Sequence, residues 1–167
     1  EVELTRHADL WLRPKPGTEL ILLAAILKEI LDQGLERREW LEDNVLGVQG
    51  LRETLADFDI LSALQQSGVP RELVDRAVRM YAPAEPSSIL YALDNISPEL
   101  QDDVVQALLS LSLLTGNLGR ESAGLFPLRR GANEQGAWDV GCVPDFLPGY
   151  KMVSDSNARH SFSNRWN

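Results

Sequence analysis

The chain has 167 residues, 44% of them hydrophobic, which is enough to bury one sizeable core. A formal charge of −9 argues against a nucleic-acid surface, because phosphate recognition needs a basic face. A single cysteine, Cys142, excludes an internal disulfide framework and any multi-cysteine metal site.

Opening on Glu1 rather than Met, with no signal peptide, the sequence is expected to be a processed or excised piece of a soluble cytoplasmic protein. "HADLWLRPKPGTE" predicts a short strand from His7 to Leu12 and then a Pro/Gly turn. Thr18 is placed to cap a helix from Glu19 to Gln33 that Gly34 ends. That helix is apolar around most of its circumference and is expected to pack inside a larger body. Its apolar run, Leu20 to Leu31, is broken by Lys28 and Glu29 and is too short to cross a bilayer, so direct membrane insertion is not expected.

"ERREWLEDNV" predicts a second, amphipathic helix, and Gly50 to Leu64 a helix in two pieces. Pro70 opens the next helix, with Leu73, Ala77 and Met80 assigned to one face. "SSILYAL", residues 87–93, is short, apolar and flanked by polar residues, which predicts a buried strand. A long helix follows, with Ser97 as N-cap and Gly116 closing it. From Asn117 onward the sequence reads as loop and turn, with a final short helix near Ser156 to Trp166. Helix and strand in alternation imply an α/β fold that is mostly helical, with one or two short strands; the remaining strands of a full sheet are expected outside this sequence.

The stretch "LRRGANEQGAWDVGCVPDFLPGY", residues 128–150, carries glycine at 131, 136, 141 and 149 behind a double arginine. Pro144 and Pro148 keep it from forming a long helix, and it is too rich in aromatic residues to be an idle linker. His7 and His160 have no partner at metal-ligand or triad spacing, so no metal ligand is assigned, and the four tryptophans are read as packing residues.

In the order "TRHADLWLRPKPGTELILL", "AVRMYA", "ILYALDN", "LLTGNLGR", "NEQGAWDVG", "PDFLPGY" and "NARHSFSNRW", the chain resembles the molybdopterin oxidoreductase superfamily, and within it formate dehydrogenase large subunits. The resemblance implies a Rossmann-like segment of a larger protein. Residues 1–130 would end one dinucleotide-binding α/β domain, and 131–167 would form the crossover loop and start of a second. It also implies a bis-molybdopterin guanine dinucleotide with molybdenum or tungsten between those domains. An iron–sulfur cluster would lie outside this segment, and Cys142 does not match the metal's cysteine ligand. Implied partners are the remaining domains of the same chain and electron-transfer subunits, through which a cytoplasmic protein could associate with a membrane.

Residue by residue, Arg129 matches the family's active-site arginine, which orients formate; read from the residues alone it is a surface or interdomain ion pair. Its guanidinium stays charged and can grip a carboxylate bidentately. Gly17, Thr18 and Glu19 match the turn that holds a guanine end, Glu19 standing for an Asp, and serve equally as an ordinary helix cap. Ala92, Leu93 and Asp94 stand where relatives carry Gly-Met-Gly, and Ser97 where they carry a glutamine, against the pterin and its phosphates. A carboxylate at Asp94 would face anionic phosphates. Gly131 replaces a glutamine near the metal, and Asn133 opens "NEQGAWDVG". Taken alone the segment is expected to be catalytically inert. A second reading is the related domain in the large iron–sulfur subunit of NADH–quinone oxidoreductase, which serves as a cofactor-free scaffold. Asp94 and Gly131 favour that reading, whereas Arg129, "PGTE" and the match through "LPGY" favour the first.

Overall fold

The computed structural model describes residues 3–166, which divide into two compact units between Pro127 and Leu128. The first unit is helical around a central α1 (Glu19–Asp32). Its other helices are α2 (Arg38–Asn44), α3 (Val48–Leu55), α4 (Ile60–Ser67), α5 (Arg71–Tyr81) and α6 (Pro98–Leu114). Strand β1 (Ser88–Tyr91) runs parallel to β2 (Gly124–Pro127), in register from Ser88 opposite Gly124 to Tyr91 opposite Pro127. The second unit holds α7 (Glu134–Asp139), an antiparallel pair of β3 (Phe146–Leu147) and β4 (Lys151–Met152), and α8 (Ser156–Trp166). Half-helical with a few short strands, the chain has the α/β character expected of it.

The all-round apolar character of α1 has a local explanation. Every residue from Glu19 to Leu31 is at least partly covered, and α3, α4, α5 and α6 of the same chain supply the cover. The helix thus packs inside a body that its own chain supplies, with Leu20, Ile21, Leu23 and Ile26 left half-buried. Ile30, Val74 and Val78 are fully buried at its contacts, each worth about 1.5–3 kcal/mol of transfer free energy. The helix stops as predicted. Gly34 turns to φ +64°, its N–H reaches Leu31 O, and the Leu35 N–H reaches Ile30 O at 2.9 Å, the two bonds of a Schellman ending.

Four expectations are corrected. Residues 7–12 form irregular chain after a 3₁₀ turn at Glu3–Arg6, not a strand; among the described residues none supplies the ladder a strand needs. Thr18 occupies the N-cap position, but its hydroxyl donates to Lys15 O at 2.6 Å and closes the turn instead of capping. On α5 the buried stripe is Val74, Val78 and then Ala82, at i, i+4 and i+8, while Leu73 and Ala77 flank it and Met80 is exposed. β1 is placed as predicted but is not buried: Leu90 is 64% exposed, because among the described residues the sheet has two strands and β1 a single neighbour.

Beyond Asn117, where the sequence predicts loop and turn ahead of the final helix, the structure has β2, α7 and the β3–β4 hairpin. These elements have two to six residues, too few to show a hydrophobic period. α8 spans the predicted residues, with the Asp155 carboxylate accepting from the N–H groups of Asn157 and Ala158 at 2.8 and 3.3 Å.

Candidate functional site

β1 and β2 are parallel, so both carboxyl ends lie along one edge of the sheet, where α/β proteins bind ligands. The loop that leaves β1 at that edge carries Leu93, half-buried, and Asp94 and Ser97, both exposed. It is held by a residue the sequence reading missed. The Gln101 side-chain amide, one turn into α6, donates to Leu93 O at 3.3 Å and Ile96 O at 3.1 Å. The only sequence signal was its position, three residues after Pro98 opens the helix. The Ser97 hydroxyl bonds the Glu99 carboxylate, so Ser97 sits at the N-cap position without capping, and that bond holds the Glu99 carboxyl below its usual range.

"LLTGNLGR", a family marker in the sequence, has a physical role beneath this sheet. Asn117 is fully buried. Its Oδ1 accepts the Ser87 N–H at 3.0 Å, and its Nδ2 donates to Ala84 O at 3.2 Å and Thr115 Oγ1 at 3.2 Å. Its own carbonyl accepts from the Ser112 hydroxyl at 3.0 Å. One side chain thus ties the end of α6 to the start of β1. Gly116, at φ +67°, makes room for the Arg37 side chain: a Cβ there would lie 2.6 Å from Arg37 Cδ. Arg37 and Arg120 both pair with Glu85, at the entry to β1. Tyr81 packs in the same region, and burial pushes its hydroxyl above the usual range despite the nearby Thr115 and Ser87.

The turn before α1 is anchored by the Lys15 N–H, which donates to Ser67 O at 2.9 Å. Gly17 sits at φ +85°, and a Cβ there would meet nothing within 4 Å. Glu19 follows in the first helical turn, half-covered. The turn therefore presents open backbone beside a carboxylate.

In the second unit Arg129 lies over Trp138, with its Cζ 4.1 Å from the ring centroid. Arg129 Nη1 is 3.7 Å from Glu134 Oε1, and Glu134 Oε2 accepts the Gly131 N–H at 3.4 Å. Glu134 and Trp138 are i and i+4 on α7, which places both on one face of the helix. Asn133 is at the N-cap position of α7 without a side-chain cap; its amide lies over Gly136, where a Cβ would be 2.3 Å from Oδ1. Arg129, Gly131 and Asn133 are therefore brought to one place. The sequence marks Trp138 only as a packing residue and does not mark Glu134, although their spacing is visible in it.

The glycines of this stretch have two separate uses. Gly141 is at φ +84°, and a Cβ there would sit 2.7 Å from Pro148 N and 2.8 Å from Leu147 C, so two backbone segments meet where only glycine fits. Gly149 and Tyr150, both at positive φ, make the hairpin turn. That turn aims the Tyr150 hydroxyl at Asp139 Oδ1, 2.6 Å away, while Gln135 donates to the same oxygen at 3.0 Å. These donors, Tyr150 first, hold the Asp139 carboxyl below its usual range, and the carboxylate in turn raises the Tyr150 hydroxyl.

The remaining candidates, 17–19 and 93–97, lie on separate loops of the first unit. Among the described residues no group of three His, Cys, Asp or Glu could hold a metal ion, and Cys142 is exposed. A groove of about 620 Å³ opens between α2 and α3, but it is lined by Glu36, Arg38, Arg52 and their neighbours, with no predicted site residue among them.

No protein-family profile matches the chain. Individual relatives do. The F420-dependent formate dehydrogenase 2 subunit alpha of Methanococcus maripaludis is 34% identical over 161 residues, 96% of this chain and 24% of that protein. Formate dehydrogenase H of Escherichia coli is 32% identical over 99% of this chain and 23% of its own length. This chain is homologous to one segment of the formate dehydrogenase large subunit. It spans about a fifth of the length of the curated relatives it matches. Among solved structures, acetylene hydratase from Pelobacter acetylenicus shares the fold over 73% of this chain and 17% of its own, with TM-score 0.67 and 20% identity. No helix among the described residues is long and apolar enough to cross a membrane.

Proposed function

We propose that the chain is a segment of the catalytic subunit of a pterin-dependent formate dehydrogenase, in which Arg129 binds and orients the carboxylate substrate. The supporting observation is the 34% identity to a formate dehydrogenase alpha subunit along 96% of the chain. The geometry of Arg129 is compatible with that role. Its guanidinium is stacked on Trp138 and partly exposed, so its donors remain accessible to a small anion. A fixed, always-charged guanidinium stabilises negative charge on a bound carboxylate and fixes which face it presents.

The residues fit a guanine dinucleotide unevenly. Gly17 leaves open space beside the Glu19 carboxylate, which could accept from guanine N1–H and N2–H. The β1–α6 loop fits less well: Asp94 is exposed, and a phosphate ~4 Å from its carboxylate would be repelled by at most about 4 kcal/mol at an effective dielectric near 20. When bound, the pterin-held metal supplies the two-electron acceptor for formate oxidation. Gly17, Thr18 and Glu19 are the residues of this chain proposed to hold its guanine end, and Gly131 and Asn133 to border it beside Arg129. The remaining domains of the same protein and electron-transfer subunits are its proposed partners, with an iron–sulfur cluster outside this segment and a cytoplasmic location. The scaffold reading, a cofactor-free domain of NADH–quinone oxidoreductase, is not favoured, because the relatives described above are formate dehydrogenases.

In the full-length protein, Arg129→Lys is expected to retain cofactor and to lower formate turnover by orders of magnitude, since lysine lacks the planar fork. Arg130→Lys is expected to matter far less. Equal and mild effects would remove Arg129 from the site. Asp94→Gly should raise pterin and metal content, measured on the purified protein; full occupancy with Asp94 intact would show that its charge is relieved.

A further inference from the structure

The Arg129 guanidinium already has a carboxylate beside it. Glu134 Oε1 stands 3.7 Å from Nη1, inside ion-pair range but beyond hydrogen-bond length. The other oxygen of Glu134 accepts the Gly131 N–H at 3.4 Å, a long bond that leaves the carboxylate beside the arginine and not closed on its fork. Trp138, one helical turn on, supports the guanidinium from its ring face at 4.1 Å. The arrangement holds a charge-assisted pair in a loose state.

We propose that Glu134 is a built-in competitor for the anion site of Arg129, setting its affinity for small carboxylates, while Trp138 is a positioning residue that fixes the guanidinium plane. The inference rests on the reading of Arg129 as the substrate-binding arginine. An incoming carboxylate can form two short, parallel bonds that Glu134 at 3.7 Å does not form, so it wins the fork. It must do so against the charge of Glu134, so the site discriminates against weakly held anions. A partly exposed pair of this kind is worth a few-fold in affinity rather than orders of magnitude.

The test compares Glu134→Gln, Trp138→Phe and Trp138→Ala with the parent. Gln keeps an acceptor for the Gly131 N–H and removes only the charge. In the full-length protein, Glu134→Gln should lower KM for formate by roughly three- to fivefold with kcat nearly unchanged, and the gain should shrink at high salt. Trp138→Ala should lower kcat, and Trp138→Phe should rescue most of it, because a ring face is retained. A second measurement is independent of turnover: formate is titrated into the 167-residue chain while the Arg129 side-chain N–H and Trp138 indole N–H resonances are followed. Glu134→Gln should tighten that titration by the same factor. Unchanged or weaker formate binding in Glu134→Gln, by either measurement, overturns the competitor role. Loss of turnover in Arg129→Lys with no effect of Glu134→Gln leaves the arginine's role standing and sinks this inference alone. Normal turnover in Arg129→Lys sinks the substrate role instead, and the titration then decides whether Glu134 and a carboxylate compete for Arg129.

Discussion

The two units of this chain are held together by different physics. From residue 3 to Pro127, α1 is wrapped by four other helices, with Ile30, Val74 and Val78 fully buried and a buried asparagine joining α6 to β1. From Leu128 to residue 166, only Ala158 is buried among the described residues, while Trp138, Val140, Tyr150 and Trp166 stand exposed. There the shape comes from backbone: glycines where chains touch or turn, a hairpin pinned by one Tyr–Asp bond, and an arginine stacked on a tryptophan. The first unit is specified by burial and the second by local stereochemistry. A region that carries candidate binding groups on so little core has low local stability of its own.

The largest effect that would sharpen this contrast is expected from Asn117→Ala. It leaves the half-buried Ser87 N–H and Ala84 C=O without their partner and empties a buried site, at a cost on the order of 3 kcal/mol, read from the denaturation midpoint of the whole chain. A loss below about 1 kcal/mol would mean the hub is dispensable and burial alone holds the first unit. Gly141→Ala should cost roughly 2 kcal/mol or more, since it combines left-handed backbone with a Cβ at 2.7 Å from Pro148 N. Its signature should be confined to the second unit. Hydrogen exchange would quicken between 134 and 152 while α1 and α6 keep their protection, and a lowered melt of the whole chain would break the two-unit contrast.

A third prediction concerns one of the buried charges of the first unit, Glu36. Burial works against the Glu36 carboxylate, but hydrogen bonds from Arg38 Nε at 2.7 Å and Arg52 Nη2 at 2.6 Å prevail and hold its carboxyl below the ordinary 4.5. Its stabilising contribution is therefore present above pH 4.5 and disappears as pH falls through the still lower folded value. Arg52→Met should cost about 1–3 kcal/mol at neutral pH, and the gap to the parent should narrow below pH 4.5 in denaturation series. A gap independent of pH would assign the loss to packing. The smallest effect belongs to Tyr150→Phe. The Asp139 carboxyl should move up toward its ordinary value when followed by carbon resonances, with the global melt untouched. An unmoved Asp139 would mean that Gln135 alone holds it.

Much of the first unit could be read in advance because its helices are long enough to show their period and carry recognisable ends. Gly34 and Gly116 stop helices where predicted, and Pro98 opens one. The misreadings there are of partners. Leu73, Ala77 and Met80 form as good a stripe as Val74, Val78 and Ala82, and only the position of α1 selects the second. The Thr18 and Ser97 hydroxyls were read as caps, but Lys15 O and the Glu99 carboxylate claim them. At the candidate site, Arg129, Gly131 and Asn133 were recognised by resemblance, whereas Glu134 and Trp138 acquire meaning only once α7 places them on the face toward Arg129.

The sequence by itself determined where turns must fall and which segments must be covered, because φ preference and hydrophobic period are properties of a few adjacent residues. Its ordered motifs also determined the kinship with formate dehydrogenases. Only the tertiary structure decided that α1 is covered by its own chain, that β1 finds β2 across α6, that Asn117 is a buried junction, and that Arg129 faces a carboxylate. Each of these depends on groups far apart in sequence meeting at hydrogen-bond or van der Waals distance, or on a helix forming to align two side chains. Such distances are set by packing, which no local pattern encodes.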